Sequence, residues 1–285
     1  MDFTTICRQI WCENVNIVFM KRISLDKKLH LLISNDDGVY AKGLSILVDT
    51  LKNLGHISVF APDRNRSGSS NSLTLHAPLH IKSLENGMIS VEGTPTDCVH
   101  LAITGGMLQK IPDIVVAGIN DGPNLGDDVW YSGTVAAAME GRFLGIPALA
   151  VSLVGERFFY HETAAKVTKK LIKYIMKDSL FATNAILNIN VPDLPYHKLK
   201  GFKVTRLGAR HKSEPIIRQI DPRGHPIYWV GAVGAEQDAG PGTDFFAINN
   251  QCVSITPLRV DLTCYEAFDQ LVALVEEASW ENSEN

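Results

Sequence analysis

The chain has 285 residues, 45% of them hydrophobic and 20% charged, with a formal net charge of −4 at pH 7. That length suits one large α/β domain, or one domain with an appendage. The mild acidity argues against a dedicated binder of nucleic-acid polymers, which would carry a basic excess.

No run of about 18 apolar residues occurs, so neither a membrane-spanning helix nor a membrane partner is expected. The five cysteines (Cys7, Cys12, Cys98, Cys252 and Cys264) are scattered and form no CxxC pair. Zinc ribbons and thioredoxin-type sites are therefore unsupported, and a reducing, cytoplasmic setting is expected. Residues 1–28 lack periodicity and an apolar h-region. They read as a poorly ordered N-terminal extension, with translation from Met20 as the alternative account of the first nineteen residues.

From there the chain alternates. His30–Ser34 is a short apolar run followed by a turn signal, and Gly43–Leu54 has helical spacing with Gly55 as its C-cap. His56–Ala61 is the next strand, ended by Pro62. Thr94–Thr104 is a helix with Thr94 as N-cap and Pro95 in its first position. Asp113–Gly118 is a strand, Thr134–Leu144 a helix and Ala148–Leu153 a strand. Glu162–Lys177 is an amphipathic helix and Ala185–Val191 a fifth strand. This alternation predicts an α/β fold, a mostly parallel sheet with helices on both faces. From about residue 196 the texture changes. Tyr196–Leu258 reads as an irregular β-rich extension with strands at Tyr228–Val230 and Cys252–Thr256, joined by the Gly/Pro-rich stretch Gly231–Asp244. Such an extension has unpaired edges that suit a partner subunit. Residues 259–285 form a C-terminal helix and tail, with the helix over Tyr265–Ala278.

The polar clusters sit where chemistry is expected. Asn35–Gly38, Pro62–Asn71 and Ile119–Asp128 each follow a predicted parallel strand, on the rim where open α/β sheets bind ligands. The adjacent carboxylates Asp36 and Asp37 repel each other and invite a cation. With Asn and Ser donors the shell would be all oxygen, which suits Mg²⁺ or Mn²⁺; taken alone, Asp-Asp-Gly is a surface turn. Arg64 and Arg66 either balance phosphate charge or belong to a solvated loop. Ser132, Gly133 and Thr134 open a helix, where free N–H groups bind anions; the plainer role is an N-cap. Gly93–Asp97 is explained mostly by capping. There is no G-x-G-x-x-G after a strand, no P-loop and no G-x-S-x-G. The nine histidines show no H-x-x-x-H pair suited to a metal, and only His211, in a cationic stretch, is a candidate to fold over a substrate.

LLISNDDG at Leu31–Gly38, APDRNRS at Ala61–Ser67, GTPTDC at Gly93–Cys98, Gly118–Asn120 with Gly122–Asp128, and YSGTVAAAME at Tyr131–Glu140 occur in that order. With Val191–Leu194 and DAGPGTD at Asp238–Asp244, they make the chain from about residue 29 resemble the SurE family of survival-protein nucleotidases. The resemblance implies a Rossmann-like catalytic core over 29–195 and an oligomerisation extension over 196–258, giving a homodimer or homotetramer. It implies a metal-dependent 5′- and 3′-nucleotidase acting on nucleoside monophosphates, and on short polyphosphate in some members. The family's metal ligands fall on Asp36, Asp37, Ser67 and Asn120, holding one divalent ion per subunit. Ser132, Gly133 and Thr134, with Asn124 and Arg64, are the phosphate or substrate contacts. Asp36, slightly favoured, or Asp37 would also take a proton from the attacking water. A non-catalytic sensor holding a phosphorylated ligand through a metal would present similar loops. Two departures stand out: the segment before residue 29 has no family counterpart, and Asp121 adds an acid at a variable position.

Overall fold

The computed structural model describes residues 28–177, 186–210, 215–231 and 234–281. The N-terminal extension up to residue 27 and His211 lie outside the described residues.

The backbone follows the expected alternation. Strand β1 (Leu29–Ser34) leads through helix α1 (Lys42–Leu51) to β2 (Gly55–Pro62). A short antiparallel pair, β3 (Ile81–Ser83) and β4 (Ile89–Val91), precedes α2 (Pro95–Thr104). Then come β5 (Ile114–Asp121), α3 (Gly133–Phe143), β6 (Ala148–Val154), α4 (His161–Lys177) and β7 (Ile186–Pro192). The extension holds β8 (Phe202–Val204), β9 (Ala209–Arg210), β10 (Ile217–Ile220), β11 (Pro226–Trp229), β12 (Glu236–Asp238), α5 (Asp244–Asn249) and β13 (Val253–Leu258). Helix α6 (Phe268–Glu281) ends the described chain.

Nine strands form one sheet in the order β3-β4-β2-β1-β5-β6-β7-β13-β8. The run from β4 to β7 is parallel, and β13 pairs antiparallel with β7. Both faces are covered, so the central strands carry apolar residues on both faces rather than on alternate positions only. Leu31 and Ile33 face one core with Leu44, Leu47 and Val167 from α1 and α4. Leu32 and Val115 face the other, with Val99 of α2 and Val135 and Ala138 of α3. On α3, Ala and Gly let the backbone sit close to the sheet: a Cβ on Gly141 would lie 2.7 Å from a Val115 methyl.

Three expectations change. Gly55 is not a helix cap. The α-helix ends at Leu51, residues 52–54 tighten into a 3₁₀ turn, and Gly55 begins β2 with extended backbone. Its reason is proximity, since a Cβ there would sit 1.9 Å from the Leu29 carbonyl oxygen. The β3–β4 hairpin was not expected, because three-residue strands carry no readable period; its signal was Asn86–Gly87, a turn pair with Gly87 at φ +80°. The β-rich extension is not a unit apart: β10 and β11 form a separate hairpin, while β8 and β13 extend the main sheet.

Candidate metal centre

β1 connects to β2 on one side, while β5, on its other side, continues to β6 and β7. The C-terminal ends of β1 and β5 therefore flank a topological switch point, where a crevice opens in sheets of this kind. Asn35, Asp36 and Asp37 leave the end of β1, and Asn120 and Asp121 close β5.

The loop after β2 folds across this point. Arg66 N–H donates to the Asp36 carbonyl oxygen at 2.7 Å. Asn65 Nδ2 donates to Asp37 Oδ1 at 3.4 Å, and Asn65 Oδ1 accepts from Ser67 N–H at 2.8 Å. Asn65 thus ties the Ser67 loop to Asp37. The crossing needs Gly38, whose φ is +103° and where a Cβ would come within 3.0 Å of the Arg64 backbone.

Asp36 is only 3% exposed. Thr134 Oγ1 donates a short hydrogen bond to its Oδ1, and the Gly133 and Thr134 backbone at the start of α3 also favours its ionised form. A Cβ on Gly133 would lie 2.8 Å from Asp36 Cβ, so the helix N-terminus reaches the carboxylate only because residue 133 is glycine. Asp37 is half-buried, and its Oδ2 accepts from Asp121 N–H at 3.2 Å. Burial pushes the Asp36 carboxyl upward against the pull of those donors. Burial and then the charge of Asp36 push Asp37 up to about 6. Two desolvated neighbouring carboxylates, with no cationic side chain among the described residues bonded to them, are what a divalent ion would balance.

The donors fit such an ion. Asn120 Nδ2 is committed to the Gly122 carbonyl at 2.9 Å, which leaves Oδ1 as the available atom. Asn35 Oδ1 and Ser69 Oγ are buried at the same strand end with no hydrogen-bond partner among the described residues. Among the described residues no group of three or more His, Cys, Asp or Glu side chains forms a metal cage. Two carboxylates completed by an amide and a hydroxyl are a hard, all-oxygen set.

The other expected residues divide. Ser132 caps α3, its Oγ accepting from Val135 N–H at 3.0 Å, and Gly133 and Thr134 lie against Asp36. Arg64 is set apart: its side chain is 68% exposed and 3.9 Å from Asp63. Asn124 is buried with its amide turned away from the aspartates, Nδ2 donating to Ser152 Oγ at 2.7 Å. Its backbone is held by Asn188 and Asn190. Gly93–Asp97 is a clamp: Thr94 and Asp97 form a capping box, and Asp97 also holds Thr74. In the cationic stretch, Arg206 pairs with Asp238, and Arg210 pairs with Asp128 at 2.8 Å while lying over the Phe245 ring.

Two features were not legible beforehand. Asn65 reads as an ordinary loop residue until its two bonds are seen. His161, enclosed at the start of α4, meets Asp121 with Nε2 2.6 Å from Oδ1; forty positions of separation hide such a pair from any spacing rule.

The comparisons bear on the family and the fold. The family described as Survival protein SurE matches residues 31–214. A Coxiella burnetii protein named 5′-nucleotidase SurE is 78% identical over 248 residues, covering 87% of this chain and 95% of the relative. One of the same name from Legionella pneumophila is 60% identical over 254 residues, covering 89% of this chain and all of the relative. A SurE protein crystal structure from Aquifex aeolicus superposes with a TM-score of 0.76 at 43% identity, covering 86% of this chain and 99% of that one. With its sequence, fold and motif order all in agreement, the chain belongs to the SurE family.

Proposed function

We propose that this chain is a metal-dependent phosphomonoesterase that hydrolyses nucleoside 5′- and 3′-monophosphates, and short polyphosphate, to release phosphate. The observation that carries the reading is the meeting of Asp36, Asp37, Asn120 and the Ser67 loop with the N-terminus of α3 at one switch point. The nucleotidase names of close relatives support the substrate class.

Asp36, Asp37, Asn120 Oδ1 and Ser67 Oγ would hold one Mg²⁺ or Mn²⁺ per subunit. When bound, such an ion neutralises charge on the phosphoryl group and makes a nearby water more acidic. The chain's own contribution is positioning and fixed polarity, which phosphoryl transfer chiefly needs. Ser132 has its oxygen occupied by Val135 N–H but keeps a hydroxyl hydrogen for a phosphate oxygen. With Gly133 and Thr134 it presents the positive end of α3. Asp37 is the better proton acceptor of the pair: its Oδ1 carries only the long Asn65 bond, whereas Asp36 is enclosed and held by Thr134. Arg64 at the rim balances charge on the incoming substrate, and Asn124 fixes the loop behind Asn120. The nucleoside lies between the rim of the 29–195 core and the 196–258 extension, which also joins subunits into a homodimer or homotetramer. Its cysteine pattern suits the cytoplasm. No described helix is long and apolar enough to cross a membrane.

Purified protein should release phosphate from adenosine and guanosine monophosphates with Mn²⁺ or Mg²⁺, lose this with EDTA, and regain it on adding metal. Tight nucleotide binding without phosphate release would favour the sensor instead.

A further inference from the structure

Asp37 is the more exposed of the two aspartates, and its side chain is held from two directions. Asn65 reaches Oδ1 from the β2 loop, and Asp121 N–H reaches Oδ2 from the end of β5. The second contact is only as firm as the backbone at Asp121, the last residue of its strand. Pairing with Leu153 of β6 holds that residue on one side, and its own side chain, 41% exposed at the outer end, adds a second hold through Oδ1 to His161 Nε2 at 2.6 Å.

His161 is built into the structure as a fixed post. Its side chain is 2% exposed and seated against Gly43, where a Cβ would fall 3.3 Å from His161 Cδ2. The turn before it is pinned too: Asp193, just past the end of β7, accepts from Phe159 N–H at 3.0 Å and Tyr160 N–H at 2.7 Å. A carboxylate only accepts, so Nε2 carries the hydrogen; Nδ1 is buried without a partner among the described residues, which favours the tautomer that leaves it bare. The imidazole is thus committed to one strong contact, a hydrogen bond to an ionised acceptor. From Asp193 through His161 and Asp121 to Asp37, a chain of contacts runs along the rim across β7, β5 and β1.

We infer that His161 is a positioning residue for the metal site, acting through Asp121 to hold Asp37 in its metal-binding orientation. The inference rests on the reading of Asp36 and Asp37 as metal ligands. Groups that orient metal ligands from behind change affinity even though they never touch the ion.

The test is Mn²⁺ binding by titration calorimetry on the full-length protein, together with the Mn²⁺ concentration that half-activates phosphate release. His161→Phe keeps the bulk and removes the donor; the Mn²⁺ Kd should rise about 10-fold. Activity should fall more at limiting than at saturating Mn²⁺. His161→Gln, which restores a donor near the Nε2 position, should recover affinity to within about threefold. Asp121 carries the test if the Phe variant folds poorly. Asp121→Asn keeps the acceptor and loses the charge, while Asp121→Ala loses both. Positioning requires Asn to stay near wild type and Ala to weaken Mn²⁺ binding. Equal losses in Asn and Ala would mean that charge alone matters and would overturn the inference. So would wild-type Mn²⁺ affinity in a folded His161→Phe variant. Absence of Mn²⁺ binding by the wild-type chain is a different failure, because it would overturn the metal reading itself.

Discussion

At the residue scale the site depends on how closely Gly133 and Thr134 approach Asp36. Gly133 opens α3 against it, and a methyl there would overlap Asp36 Cβ at 2.8 Å. Gly133→Ala should therefore lower phosphate release by about 10-fold or more, an effect of misplacing a ligand. The same overlap in a buried site should also cost about 1–3 kcal/mol of stability. Turnover and thermal unfolding measured side by side check both halves. The pH behaviour follows from Asp37. Its carboxyl titrates near 3.8 when unhindered and about 6 here, so the metal-free native state holds a proton that the unfolded chain releases. This contribution to stability is lost as pH rises from about 4 through about 6. A bound cation removes the penalty and competes with the proton. The gap in Tm between Mn²⁺-loaded and metal-free protein should widen from pH 5 to pH 7.5; a constant gap would count against Asp37 as a ligand.

At the scale of elements, β13 pairs the extension to β7, and one buried acid ties its loops to the core. Asp244, at the start of α5, accepts from Gly126 N–H and Gly208 N–H, each at 2.8 Å, and is fully enclosed. Asp244→Ala would leave both N–H groups buried and unpaired, at a cost of about 2–4 kcal/mol in denaturant unfolding. The DAGPGTD motif was readable in the sequence, but its work was not, since its partners lie at Gly126, more than a hundred residues back, and across at Arg206 and Gly208. The central strands and helices were legible because each is long and has a clear period or cap. Thr94 with Pro95 marked α2 to the residue. The short β3, β4 and β9 strands were not, because two or three residues hold no period and their pairing is decided by neighbours. In the same way Asp36 and Asp37 stood out as an adjacent pair, while Asn65 and His161 became visible only once folding had brought them to that pair.

At the scale of the whole molecule, the apolar surface is unevenly placed. Phe268, Leu271, Val272 and Val275 recur at helical spacing on α6 and are all exposed. Ile217, Tyr228 and Trp229 are exposed on the β10–β11 hairpin. Surface of that kind suits a subunit contact. Leu271→Glu with Val275→Glu should shift the protein toward monomer in sedimentation velocity while leaving its far-UV dichroism intact. An unchanged sedimentation coefficient would place the subunit contact elsewhere. The catalytic claim is tested most directly by one variant measured two ways. Asp36→Asn keeps the shape and the Thr134 contact but removes a charge. Mn²⁺ binding by calorimetry and phosphate release from adenosine monophosphate should both collapse together. Wild-type turnover in a folded Asp36→Asn protein would contradict the assignment of this aspartate pair to the metal.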